Sequence, residues 1–76
     1  MSASEFLDLR DKALYYRGFS YYYLSRDLVI HSKEYVDYTS SAIVDWEFVL
    51  MSSSSTNEMK NQARKYTNDL RTERGY

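Results

Sequence analysis

Apolar side chains recur every seven residues through the first fifty residues of the chain. The repeat consists of Leu7, Leu14, Tyr21, Leu28, Tyr35, Ala42 and Val49. A straight α-helix drifts about 20° per heptad against such a repeat, so one long helix would have to supercoil around a partner. The alternative is a break at Gly18 or within 31–34, where Ser32 can cap a new helix that has Glu34 in its first turn. We favour the break at Ser32.

Two short polar motifs predict further helix starts. Ser2-Ala3-Ser4-Glu5 and Ser55-Thr56-Asn57-Glu58 both match the capping box, in which a serine hydroxyl and a glutamate carboxylate satisfy orphan backbone amides. The serine-rich segment 51–55 interrupts the apolar stripes and predicts a loop before the last helix. The sequence therefore predicts one all-α domain over 1–76, a small bundle of about three helices. These helices are expected near residues 3–30, 33–51 and 56–73.

The last predicted helix has a narrow apolar seam. Met59, Ala63, Tyr66 and Leu70 follow one another at spacings of four, three and four residues, and most residues between them are polar. Such a seam packs against one surface only. Residues 51–76 carry a net charge of +2 and residues 1–50 a net charge of −3, so we expect the last helix to fold back on the acidic part of this chain or of a neighbouring one.

The first predicted helix is apolar on two faces. Besides the seven-residue repeat it carries a second stripe, formed by Phe6, Leu9, Ala13, Tyr16, Tyr23 and Ile30. A helix with two apolar faces is buried on two sides, either by two elements of its own chain or by another protomer. We therefore expect a homo-oligomer, a dimer or higher, to complete the bundle.

The short length of the chain and its lack of cysteine also favour a homo-oligomer. A chain of 76 residues buries only about 60% of its unfolded surface, and without cysteine it has no disulfide to compensate.

No apolar run approaches the length of a membrane span, and the N-terminus has no signal pattern. We expect a soluble cytoplasmic protein, in the host-cell cytoplasm if its origin is viral. The net charge of −1 favours neither nucleic acid nor a membrane as a partner.

The segment 15–23 contains six aromatic residues in nine positions. The stripes direct Tyr16, Tyr21 and Tyr23 into the bundle and leave the remaining aromatic residues for a partner, with two arginines nearby. The predicted partner-binding residues are Tyr15, Arg17, Phe19, Tyr22 and Arg26. Clustered tyrosine beside arginine is typical of binding hot spots. The alternatives are a plain core with incidental surface residues, or a nucleotide stacked between the rings with an arginine on its phosphate.

Catalytic and metal chemistry have little support in the sequence. Asp27, His31 and Glu34 share one helix face if no break intervenes, but a solvated face with a salt-bridging histidine is the simpler interpretation. His31 is the only histidine, and there is no nucleophile elbow or glycine-rich phosphate loop. We expect no enzyme activity, no cofactor and no metal. A DNA-binding helix-turn-helix is disfavoured because no short glycine-containing turn precedes the last helix.

No segment carries a family signature, so the functional hypotheses are drawn from the composition and from the pattern of apolar residues. The leading hypothesis is a non-enzymatic helical interaction protein that self-associates and binds a macromolecular partner, a protein, through its Tyr-rich surface. Its length and lack of cysteine suggest a small accessory protein of a phage or mobile element that inhibits or adapts host machinery. The alternatives are an oligomeric nucleotide-binding protein that uses tyrosine stacking and arginine, and a structural virion component.

Overall fold

Three helices make up the computed structural model, which describes residues 2–75. They are α1 (Ala3–Ser25), α2 (Lys33–Met51) and α3 (Asn57–Arg74). Each begins at a hydroxyl that accepts a hydrogen bond from a backbone amide three residues later, and the three capping residues are Ser2, Ser32 and Thr56. These bonds satisfy amides that would otherwise lack a partner at the helix starts. The predicted all-α fold of three helices is confirmed.

Helix α1 is shorter than the sequence predicted, because it ends at Ser25 instead of residue 30. Two turns replace the expected helix: the Leu28 amide donates to the Ser25 carbonyl, and the Ser32 amide donates to the Val29 carbonyl. His31 has a φ of 72°, in the left-handed region, so a continuous helix cannot pass through it. The break predicted at Ser32 is confirmed. At Gly18, the other position where a break was considered, α1 continues without interruption.

Helix α3 differs from its prediction at both ends by one residue. Its cap is Thr56 rather than Ser55, and its last helical residue is Arg74. Gly75 then adopts a φ of 89°, and its amide bonds to the carbonyls of Arg71 and Thr72. Glycine adopts this left-handed conformation without a steric penalty, which is why it closes the helix here.

Helix α2 lies at the centre of the fold and packs against both other helices. Its buried face is the main part of the core, formed by Tyr35, Ala42, Ile43, Trp46 and Val49. Met59, Ala63 and Leu70 cover that core from α3, as their spacing predicted, and Thr67 joins them although its polarity gave no such signal. An ion pair between Arg71 and Glu47 ties α3 to the acidic α2.

The serine-rich loop is held against α1 by a buried carboxylate. Asp11 is fully buried and accepts hydrogen bonds from the hydroxyls of Ser52, at 2.7 Å, and Ser54. Burial raises the pKa of Asp11, but the hydrogen bonds from Ser54, Ser52 and Arg10 together lower it below its ordinary value. The carboxylate therefore stays charged at neutral pH and fixes the start of the loop.

Candidate interaction surface

The orientation of α1 is set where it approaches α2 most closely. Gly18 is buried against Trp46, and a Cβ atom at this position would lie 2.5 Å from the indole nitrogen. The same indole N–H donates a hydrogen bond of 3.2 Å to the backbone carbonyl of Tyr15. The side of α1 that contains Gly18 must therefore face α2.

This orientation decides which aromatic residues point inward. At 100° per residue, Tyr22 and Tyr15 lie about 40° and 60° around the helix from Gly18, whereas Tyr23 and Tyr16 lie about 140° and 160° from it. The first pair therefore faces the bundle and the second pair faces solvent. The sequence does not reveal this reference point, because both apolar stripes of α1 are equally suitable as the inner face.

The inner rings, Tyr15, Phe19 and Tyr22, are half-buried and pack against the core. The Phe19 ring centroid lies 5.0 Å from those of both Trp46 and Tyr66, and the Tyr22 ring lies 5.3 Å from Tyr66. These edge-to-face contacts bridge α1 and α3 through their side chains. The prediction that Tyr15, Phe19 and Tyr22 lie outside the core is therefore wrong.

The outer rings, Tyr16 and Tyr23, are 65% and 63% exposed. The sequence analysis placed both inside the bundle, and this prediction is also wrong. Tyr21, the third residue predicted to point inward, is half-buried with its ring 6.1 Å from that of Tyr38. Two large aromatic side chains of the run are thus available on the surface of α1.

Inner and outer rings together line an open groove between α1 and α3. Its volume is about 380 Å³, and its lining consists of Tyr15, Tyr16, Phe19, Tyr23, Gln62 and Tyr66. We call this feature the aromatic groove. Five of the six lining side chains are aromatic and the sixth is a neutral amide. The groove therefore offers ring faces, phenolic hydroxyls and an amide for contact, and the Lys65 ammonium lies 5.6 Å from the centroid of the Tyr66 ring.

Both arginines of the predicted site are engaged with carboxylates of the same chain. Arg17 donates two hydrogen bonds of 2.8 Å to Asp45, and Arg26 donates bonds of 2.9 and 2.7 Å to Glu73. Each pair is bidentate, the geometry in which guanidinium and carboxylate bind most strongly. The structure therefore gives Arg17 and Arg26 the role of joining α1 to α2 and α3, which the sequence pattern did not reveal.

The pKa values around Glu73 follow from these contacts. The Arg26 hydrogen bonds hold the pKa of Glu73 below its ordinary value, against the opposing effect of burial. Glu73 also accepts a hydrogen bond from the Tyr35 hydroxyl. Burial of Tyr35, together with this bond to a carboxylate, raises the pKa of Tyr35 to about 12. The cluster is therefore an anionic carboxylate with a cationic and a neutral donor at neutral pH.

The outward side of α1 carries a second continuous feature. Every third or fourth residue along it is apolar or small, and all of them are exposed: Phe6, Leu9, Ala13, Tyr16, Ser20 and Tyr23. We call this row the outer seam. It contains the second apolar stripe found in the sequence, except that Ile30 lies beyond the end of α1. The outer seam meets the aromatic groove at Tyr16 and Tyr23.

The alternative metal site is not assembled. Asp27 and His31 lie in the turns after α1 and Glu34 lies in α2, so the three residues do not share a helix face. Among residues 2–75 there is no group of three or more side chains suited to hold a metal ion. No helix in this part of the chain is long and apolar enough to cross a membrane.

Comparison with known proteins adds no relative. No protein-family model, curated protein or solved structure matches this chain. The aromatic groove and the outer seam are therefore the features of this chain that bear on its function.

Proposed function

We propose that this chain is a non-enzymatic helical interaction protein that self-associates and binds a protein partner through its aromatic groove. The observation that carries the proposal is the exposure of Tyr16 and Tyr23 beside half-buried rings of both α1 and α3. Tyrosine is among the residues most enriched in the energetically dominant positions of protein interfaces. Two such rings on one rim provide anchors for a partner.

The chemistry of the groove favours a peptide segment over an anionic ligand. Ring faces bind apolar and proline-rich segments, and the tyrosine hydroxyls and Gln62 can bond to the peptide backbone. A nucleotide would require a cation for its phosphate, and because Arg17 and Arg26 already bind Asp45 and Glu73, this role would fall to Lys65 beside the Tyr66 ring. The chemistry of the groove thus supports the hypothesis of protein binding.

The test is affinity capture from lysate of the native host, after nuclease treatment, with the wild-type chain and two matched variants. Tyr16→Ala removes a groove ring that is 65% exposed, and Val44→Ala removes an apolar side chain on α2 that is also 65% exposed. We expect one protein to bind the wild-type chain saturably, with a loss of about 1–3 kcal/mol in Tyr16→Ala and no loss in Val44→Ala. Equal retention by both variants would exclude the aromatic groove as the binding site.

A thermal-shift screen with nucleotides separates this function from the ligand-binding alternative. A ligand that binds only the folded state stabilises it and so raises the melting temperature. At a hundredfold excess over the dissociation constant, the free energy of unfolding increases by about 2.7 kcal/mol. We expect no shift with mono-, di- or triphosphates. A saturable shift that disappears in Tyr16→Ala would favour nucleotide binding in the groove instead.

A further inference from the structure

The outer seam of α1 has the sequence pattern of a two-stranded coiled-coil interface. Its residues alternate at spacings of three and four, which are the a and d positions of a heptad repeat. The a positions are Phe6, Ala13 and Ser20, and the d positions are Leu9, Tyr16 and Tyr23. None is charged, all six are exposed, and Tyr16 and Tyr23 also border the aromatic groove. A seam of this kind is matched to the face of another α-helix.

The sizes of the seam residues are complementary to those of a second, antiparallel copy. In an antiparallel pair each a position packs beside a d position of the other helix, and one register pairs all six residues. Ala13 then faces Tyr16 of the second copy, Ser20 faces Leu9, and Phe6 faces Tyr23. Each small residue meets a large one, and the ends of the seam become aromatic pairs. A parallel pair would instead place Ala13 against Ala13 and Tyr16 against Tyr16, which leaves gaps beside crowded layers.

Charges beside the seam do not oppose this pairing. The flanking cations form ion pairs within their own chain: Arg10 with Asp11 at 3.2 Å, Lys12 with Asp8 at 3.1 Å, and Arg17 with Asp45 at 2.8 Å.

The size of the seam sets the strength of the association. The seam runs from Phe6 to Tyr23 and is therefore about 26 Å long, and at a width of about 10 Å on each of two copies it covers roughly 500 Å². Exposed Leu24 beside the seam adds to this surface. The total stays below the ~1,000 Å² at which stable specific interfaces begin. The surface therefore fits a weak, reversible dimer.

We propose that the outer seam binds the outer seam of a second copy of this chain as an antiparallel helix pair. The proposal rests on the self-association in the proposed function, and it shares Tyr16 and Tyr23 with the aromatic groove, so a second copy and a groove partner compete for these two rings. It accounts for the second apolar face of α1, which the chain's own helices leave uncovered.

The absence of native cysteine permits a direct test by disulfide trapping. Chains that carry Leu9→Cys are mixed with chains that carry Ser20→Cys, oxidised mildly and analysed by mass spectrometry, with Asn61→Cys on α3 as the control. All three positions are exposed, so circular dichroism should show an intact fold. We expect the mixed disulfide to predominate. Predominance of the Ser20→Cys homodimer would indicate a parallel pair, and a yield no greater than that of the control would exclude the seam; either result overturns the proposal.

Sedimentation of the wild-type protein provides a second measurement of dimerisation. We expect a particle of about 18 kDa at high micromolar concentration, twice the 9.1 kDa of the chain. Ala13→Glu places a charge in the seam and should weaken dimerisation at least tenfold, whereas Asn61→Glu should leave it unchanged. A monomer at every concentration would overturn the proposal.

The groove proposal can fail separately from the seam proposal. Ala13 is in the seam but does not line the groove. Retention of a protein partner by Ala13→Glu in monomeric form would show that groove binding does not require the dimer. If Tyr66→Ala still forms the dimer but no longer binds the partner, dimerisation does not require an intact aromatic groove. Tyr66 lines the groove from α3 and is not part of the seam.

Discussion

Gly18 of α1 lies against the indole of Trp46 of α2, closer than a β-carbon at position 18 would allow. The nearest indole atom, Nε1, would be 2.5 Å from that carbon, and two ring carbons would be within 2.9 Å. The Trp46 side chain is fully buried and rigidly held, so it cannot move aside at low cost. This one contact determines the orientation of the whole aromatic run.

We expect Gly18→Ala to destabilise the protein. Alanine favours a helix over glycine by about 1 kcal/mol, but overpacking against the buried indole costs about 1–3 kcal/mol. The net loss is measured as the free energy of unfolding in urea. Ser20→Ala, at an exposed position of the same helix, should change it by less than ~0.5 kcal/mol. An increase in stability for Gly18→Ala would show that the two helices do not meet as described.

The helices could be predicted because their signals are local. The hydroxyl caps at Ser2 and Ser32, and the seam from Met59 to Leu70, depend on side chains within a few residues of one another. The end of α1 could not be predicted in this way. The seven-residue repeat continues through Leu28 although the chain turns there, and Leu28 is half-buried without being helical.

The candidate site was harder to predict because it depends on packing between helices. Composition correctly identified the aromatic run of 15–23 as unusual, but the direction of each ring depends on the rotation of α1 against α2. That rotation is set by Gly18, which the sequence analysis treated as a possible break. Likewise, the bonds of Arg17 to Asp45 and of Arg26 to Glu73 join residues 28 and 47 positions apart in the chain, which no local pattern reveals.

We expect the inner and outer rings to differ in their effect on stability. Phe19→Ala removes contacts with Trp46 and Tyr66 and should cost about 2–4 kcal/mol, somewhat below the range for a fully buried phenylalanine. Tyr23→Ala removes a ring that is 63% exposed and should cost less than ~1 kcal/mol. Thermal and urea unfolding of the two variants side by side gives the comparison. Equal losses would mean that the division into inner and outer rings is incorrect.

Stability should decrease in acid because of Glu73. Its pKa is lowered in the folded state by the Arg26 and Tyr35 hydrogen bonds, so the unfolded chain takes up this proton at a higher pH than the folded chain does. The stabilisation is therefore complete above about pH 4.3, the ordinary pKa of glutamate, and is lost as the pH falls through the folded value. Asp11, whose pKa is also lowered, acts in the same direction.

The measurement is the free energy of unfolding as a function of pH, for wild type and Glu73→Gln. The variant has no carboxylate to protonate at position 73, so its stability should be lower at neutral pH and fall less steeply below about pH 4.3. Asp69→Gln, at an exposed position of the same helix, serves as the control and should follow the wild-type curve. An unchanged slope in Glu73→Gln would contradict the assigned role of the Arg26–Glu73 pair.

The central claim, that the aromatic groove contacts a protein partner, is tested most directly by photo-crosslinking in the native host. A benzophenone amino acid is placed at position 62, where Gln62 lines the groove, or at the adjacent exposed Asn61, which does not line it. We expect a covalent adduct with one other protein from position 62 and none from position 61. Adducts from both positions alike, or only an adduct between two copies of this chain, would contradict it.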